Sequence, residues 1–221
     1  MKIAQLAGLI SVFFFFPGLV LAEPQLYETG PSEESSYVRF INATENTIEI
    51  ISSNGSGKVE LNANADGRAS RFFTVKAGSK LTATLQGKGH KGSVEVTGKP
   101  WEYITIAILP TGASQFKTML VRETPTDFNA MRASVSLFNL DASCTAATLQ
   151  GGAKKATILE GVKPFTVQRR LINPVKLSAT VACDVQGPAV DLAQLEPGGR
   201  YSVFLLNLKN SRQVFFVHDA N

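Results

Sequence analysis

Lys80-Leu81-Thr82-Ala83-Thr84-Leu85 returns later in the chain, with two conservative changes, as Lys176-Leu177-Ser178-Ala179-Thr180-Val181. Working outward, Phe73-Thr74-Val75 precedes the first copy and Phe165-Thr166-Val167 the second. Farther upstream, Val38-Arg39-Phe40-Ile41-Asn42 matches Val135-Ser136-Leu137-Phe138-Asn139, and downstream Tyr103-Ile104-Thr105-Ile106-Ala107-Ile108-Leu109 matches Tyr201-Ser202-Val203-Phe204-Leu205-Leu206-Asn207. The offsets are 97 for Val38 to Val135, 96 for Lys80 to Lys176 and 98 for Tyr103 to Tyr201. Segments that keep one order and nearly one spacing indicate a duplicated unit, which suits a binding or scaffolding module better than a single enzyme core.

The repeated segments alternate apolar and polar residues at period two, the signature of half-buried strands. Tyr37, Arg39 and Ile41 oppose Val38, Phe40 and Asn42, and Asn54-Gly55 is a hairpin signal between Thr47-Ile48-Glu49-Ile50-Ile51 and Lys58-Val59-Glu60-Leu61. Further strands are expected over 70–75, 80–86, 93–97, 101–109 and 116–122, with no amphipathic helix. The expected fold is all-β, two tandem β-sandwich domains of similar topology, in which Tyr103 overlies Tyr201. The boundaries read as a signal peptide over 1–22, an acidic extended leader over 23–35, a first sandwich over 36–122, a linker over 123–132 and a second sandwich over 133–221.

Met1-Lys2, an apolar run with Phe13-Phe14-Phe15-Phe16, and Val20-Leu21-Ala22 form an export signal, expected to be cut before Glu23 and to carry the chain into an oxidising compartment. The rival reading is an uncleaved anchor, since the run approaches the ~20 residues of a bilayer span. In an oxidising compartment the chain's only cysteines, Cys144 and Cys183, are expected to form a disulfide within the second repeat. Two cysteines and two distant histidines lack metal-ligand spacing, and no cofactor is expected. The net charge of +4 falls to +3 without Lys2, too mild for nucleic acid. Its distribution is uneven: Arg68, Arg71, Lys76, Lys80, Lys88, Lys91 and Lys99 face only Glu95 over 68–99. That stretch is either a solvated strand face or a surface for an anionic polymer.

A nucleophilic serine needs a base held within hydrogen-bond reach and oriented by a third group. His90 sits in Lys88-Gly89-His90-Lys91-Gly92, a turn, and His218 lies near the C-terminus, so no triad is expected; Gly-x-Ser-x-Gly and phosphate-loop patterns are absent. Trp101 opens a strand, where an aromatic is more often core, yet it is also the best candidate for a glycan contact, together with Arg68, Arg71, Lys88 and Lys91.

Leu26-Tyr27, Pro31, Ser35-Ser36-Tyr37-Val38-Arg39 and Asn42 resemble the start of the AlgF family, periplasmic accessory proteins of bacterial alginate O-acetylation. The resemblance implies a non-catalytic adaptor beside a membrane-bound O-acyltransferase and periplasmic SGNH-like acetyltransferases. It makes Leu26, Tyr27, Glu28, Pro31, Tyr37 and Arg39 the candidate partner contacts. The alternative is a carbohydrate-binding module that holds an acidic exopolysaccharide directly.

Overall fold

Val38 and Phe40 alternate with Arg39 and Ile41 along β1 (Ser35–Asn42), and both faces of this strand are covered. A computed structural model describes residues 34–219 except 54, 56, 127 and 128. After β1 come β2 (Ile48–Ser52), β3 (Lys58–Leu61), a 3-10 turn at Ala65–Gly67, β4 (Phe73–Lys76), β5 (Lys80–Gly87), β6 (His90–Thr97), β7 (Tyr103–Thr111) and β8 (Gln115–Glu123). The order repeats as β9 (Ala133–Asn139), β10 (Ala147–Gly151), β11 (Ala156–Val162), β12 (Thr166–Ile172), β13 (Lys176–Cys183), β14 (Val185–Gln194), β15 (Arg200–Leu208) and β16 (Ser211–Asp219).

The second half is a sandwich of β11-β10-β13-β14 on β12-β9-β15-β16. The first half has the equivalent neighbours, β3-β2-β5-β6 and β8-β7-β1-β4, and a parallel contact between Lys91 of β6 and Gln115 of β8 joins them at one edge. In each half the central pair, β1 with β7 and β9 with β15, runs parallel. Val38, Phe40, Ile50, Leu85, Val94, Ile104 and Ile106 fill the first sandwich; Val135, Leu137, Leu149, Val181, Leu192, Tyr201 and Val203 fill the second.

The repeat stands, but two of its expected equivalences shift. Val38 pairs with Ile104, and Val135 pairs with Tyr201, so the offset is 97 on both central strands and Tyr103 corresponds to Arg200 rather than Tyr201. A one-residue slip exchanges the faces of a strand. Tyr201 accordingly lies in its own core, whereas Tyr103 points toward the other half, where Arg200 covers its ring. By the same register Trp101 matches Gly198; the two share a left-handed backbone, φ 63° and 73°. Trp101 is therefore in a turn before β7, not in the strand, and is 62% exposed rather than core. The Phe-Thr-Val phrases belong to equivalent strands but are out of step, since Phe73 pairs with Val38 while Val135 pairs with Arg170.

Two buried asparagines explain part of the repeat. Asn42 Nδ2 donates to the Asn46 and Leu61 carbonyls, and Asn139 Nδ2 to those of Cys144 and Val162, each tying one sheet to the loop and strand opposite. The Cys144–Cys183 disulfide closes the same corner of the second half, with Cα atoms 5.7 Å apart. In the first half that corner is a close backbone approach: a Cβ on Gly87 would lie 2.4 Å from the Thr47 carbonyl oxygen. Asp141 braces the disulfide loop by accepting from Ser143 and from Arg212, whose other nitrogen donates to the Cys183 carbonyl.

A third apolar core lies between the halves. Ile41, Ala107 and Val121 of the first pack against Phe138, Leu140, Phe204, Leu206 and Phe215 of the second. Inside it sits Arg39, expected as a partner contact but 1% exposed. Its guanidinium donates to Asp219 Oδ1 at 2.6 Å, Ser202 Oγ at 3.0 Å and Thr105 Oγ1 at 2.9 Å, and it lies over the rings of Phe72, Phe138 and Phe204. Burial lowers its pKa, opposed by Asp219, and guanidinium remains charged in proteins. A reciprocal pair crosses the other way: Arg169 grips Glu123 through two hydrogen bonds of 2.5 and 2.9 Å. The described residues thus form one compact unit.

Removing one partner of a buried ion pair leaves an uncompensated charge, so Arg39→Ala is expected to cost about 3–5 kcal/mol in urea unfolding. Asp219→Ala is expected to cost a similar amount, and the double variant much less than the sum; additive losses would show that the two are not coupled. Asp141 supplies a pH-dependent contribution. Burial raises its pKa, but hydrogen bonds from Ser143, Arg212 and Asn207 outweigh this and hold it below its ordinary value. A depressed carboxylate stabilises the fold above its unfolded pKa of about 3.9, and that stability is lost as pH falls through the folded value. Asp141→Asn should lower stability at neutral pH and flatten the acid limb of the stability profile, whereas parallel profiles would count against this role.

Candidate functional site

The seam between the halves opens at one end into a cleft of about 360 Å³. Three strand ends build it. Arg132 precedes β9 and Arg200 opens β15, and because these strands are parallel both arginines reach the same edge. β12 runs antiparallel to β9, so Arg169 to Leu171, just before its end, return to that edge. Tyr103, at the start of β7, supplies the wall from the first half, and Pro125, Asn129 and Ala130 of the connecting segment form the rim. A second hollow of about 440 Å³ shares Pro125, Arg132, Arg169 and Leu171 and adds Arg170.

The cleft is cationic. Glu123 neutralises Arg169, which also donates to Ser134 Oγ at 2.7 Å. Arg132 Nη2 donates to the Leu171 carbonyl at 2.9 Å and Arg170 Nη1 to the Ile158 carbonyl at 3.1 Å. Among the described residues neither has an acidic partner. Arg200 lies with its guanidinium carbon 4.5 Å from the centre of the Tyr103 ring, and its Nη2 is buried without a hydrogen-bond partner. A buried unpaired donor is costly, so this atom marks where an acceptor would be stabilised. Tyr103 has Tyr37 stacked at 4.6 Å and Phe72 edge-on at 5.2 Å, which fixes its ring.

Of the expected partner contacts, Leu26, Tyr27, Glu28 and Pro31 lie outside the described residues. Tyr37 is half-buried against Tyr103, and Arg39 is enclosed. The glycan candidates do not form one surface. Arg68 is buried, donating to the carbonyls of Asn42 and Thr44, a correction that follows from the loops it holds. Arg71 is exposed before edge strand β4. Lys88 and Lys91 lie at the start of β6, and Trp101 follows its far end, separated by an eight-residue strand, about 26 Å at ~3.3 Å per residue. His90 stacks on Phe116 and His218 on Tyr201, in different halves.

Arg132, Arg169, Arg170 and Arg200 were not singled out from sequence, because they are scattered over 69 positions and converge only through strand pairing. Arg169-Arg170 was the available signal: tandem arginines ending a strand project to opposite faces, and one must meet the other half.

Among the described residues no helix is long and apolar enough to cross a membrane, and no cluster of three or more metal-ligating side chains occurs. The structure is similar to a putative cell adhesion protein from Bacteroides uniformis, at 9% identity and TM-score 0.30 over 85% of this chain and 98% of that one. A second, from Bacteroides ovatus, gives 10% and 0.24 over 86% and 99%. The Bacillus anthracis TIE protein gives 8% and 0.27 over 78% of this chain, which spans about a third (34%) of that protein's length. Likenesses of this size carry no weight for function. No curated protein matches the chain. The family model described as alginate O-acetyl transferase AlgF matches residues 17–197, and with most of its length covered the chain belongs to the AlgF family and takes part in alginate O-acetylation.

Proposed function

We propose that the chain is a non-catalytic, periplasmic adaptor that holds SGNH-like acetyltransferases and a membrane-bound O-acyltransferase in working proximity on the exported polymer. The observation that carries this reading is the third core. Two sandwiches of one topology, locked by Arg39 and by the Glu123–Arg169 pair, present two surfaces at a fixed angle, as a scaffold for more than one partner requires. A hinge would lose that spacing. Trp101 favours a second reading, direct binding of the polymer, because 62% of its surface is free.

Deleting the gene is expected to remove O-acetyl groups from the secreted polymer, read by proton NMR, while polymer is still made. The purified chain should release no acetate from an activated acetyl ester above the buffer rate and should co-purify with the transferases. Acetyl transfer by the isolated chain would overturn the adaptor reading. Retention on polymer in affinity electrophoresis that is lost in Trp101→Ala would favour the second one.

A further inference from the structure

We propose that the arginine cleft at the seam is a docking site for a carboxylate side chain on an acidic segment of a protein partner, an inference that rests on the adaptor reading. Three observations converge. First, Arg200 Nη2 is buried and unpartnered, while Arg132 offers an exposed guanidinium on the same rim and Arg170 another in the adjoining hollow. Planar guanidinium groups bind carboxylates through paired hydrogen bonds, which a lysine cannot do. Among the described residues that line the two hollows, the one carboxylate, Glu123, is already spent on Arg169.

Second, Tyr103 gives a sugar no platform. Tyr37 stacks on its ring, Phe72 packs perpendicular to it and Arg200 lies over it, so protein groups already occupy its stacking positions. A sugar ring would find guanidinium groups but no free face to stack on.

Third, Met131 stands between Ala130 and Arg132 of the rim and is 76% exposed, the most exposed of the large apolar side chains described. Methionine and arginine are both enriched at protein–protein interfaces, whereas lysine is depleted there. An occupant with a carboxylate beside an apolar side chain would satisfy Arg200 and cover Met131 at once.

The arrangement also sets a signature that a purely structural arginine would not give. Replacing Arg200 by methionine removes a buried unsatisfied donor, so it should leave the melting temperature unchanged or raised while weakening binding.

The test uses the mature chain with two fluorescent probes, a hexaglutamate peptide and a hexamannuronate of equal charge, followed by anisotropy at low ionic strength. The peptide is expected to bind, to bind at least tenfold more weakly to Arg200→Met and to Arg132→Gln, and to be released by salt. No peptide binding, or binding indifferent to both substitutions, overturns the proposal. Equal or tighter binding of the hexamannuronate through the same arginines overturns it in favour of the polymer. In cells, the Arg132→Gln/Arg200→Met double variant at wild-type abundance should reduce polymer acetylation. If it acetylates normally while deletion of the chain does not, the cleft inference fails and the adaptor reading stands; if deletion also leaves acetylation intact, the adaptor reading fails.

Discussion

A guanidinium enclosed by three phenyl rings, two hydroxyls and one carboxylate determines how the two sandwiches meet. Desolvating a charge costs several kcal/mol, and that cost is offset only where each nitrogen has a hydrogen-bond partner and the counter-ion is close. Arg39 meets those conditions with partners from both halves: Thr105 from its own, Ser202 and Asp219 from the other. Sliding or rotating the sandwiches would strand the charge in an apolar core. The seam therefore has one low-energy geometry, and the cleft at its end inherits that geometry.

Divergence between the repeats is concentrated at this seam. Under the 97-residue register Arg39 stands where the second copy has Ser136, Ile41 where it has Phe138, and Ala107 where it has Phe204. Large side chains in one copy thus answer small ones in the other, the interdigitation that close packing requires. Inside each sandwich the opposite holds, and Leu81, Ala83 and Leu85 are matched by Leu177, Ala179 and Val181 on the same inward face. The inward faces share one solution because each must fill the same space. The outward faces had to become complementary to each other instead of to water.

The cleft follows from this asymmetry. Position 103 is tyrosine in the first half and its equivalent is Arg200 in the second, so the two meet as ring and guanidinium at the end of the seam. Its polarity comes from the second half and its rigid wall from the first. Neither copy alone holds the site.

Period-two alternation and the internal repeat were sufficient for the all-β fold class, and the presence of just two cysteines for the pairing of Cys144 with Cys183, because these depend on local pattern and on residue count. Buried Asn42 and Asn139 were legible as a match, though their clamping of loops was not. What alternation could not show is that the outward face of β1, β7, β9 and β15 is also buried. Ile104-Thr105-Ile106-Ala107-Ile108-Leu109 and Val203-Phe204-Leu205-Leu206 are unbroken enough to signal strands covered on both sides, yet an arginine at position 39 reads as solvent-facing until its carboxylate, 180 residues away, is placed beside it. Identity of residues fixed which strands form; the register between strands and the contact between sheets decided which side chains face water, and those are long-range properties that no local pattern encodes.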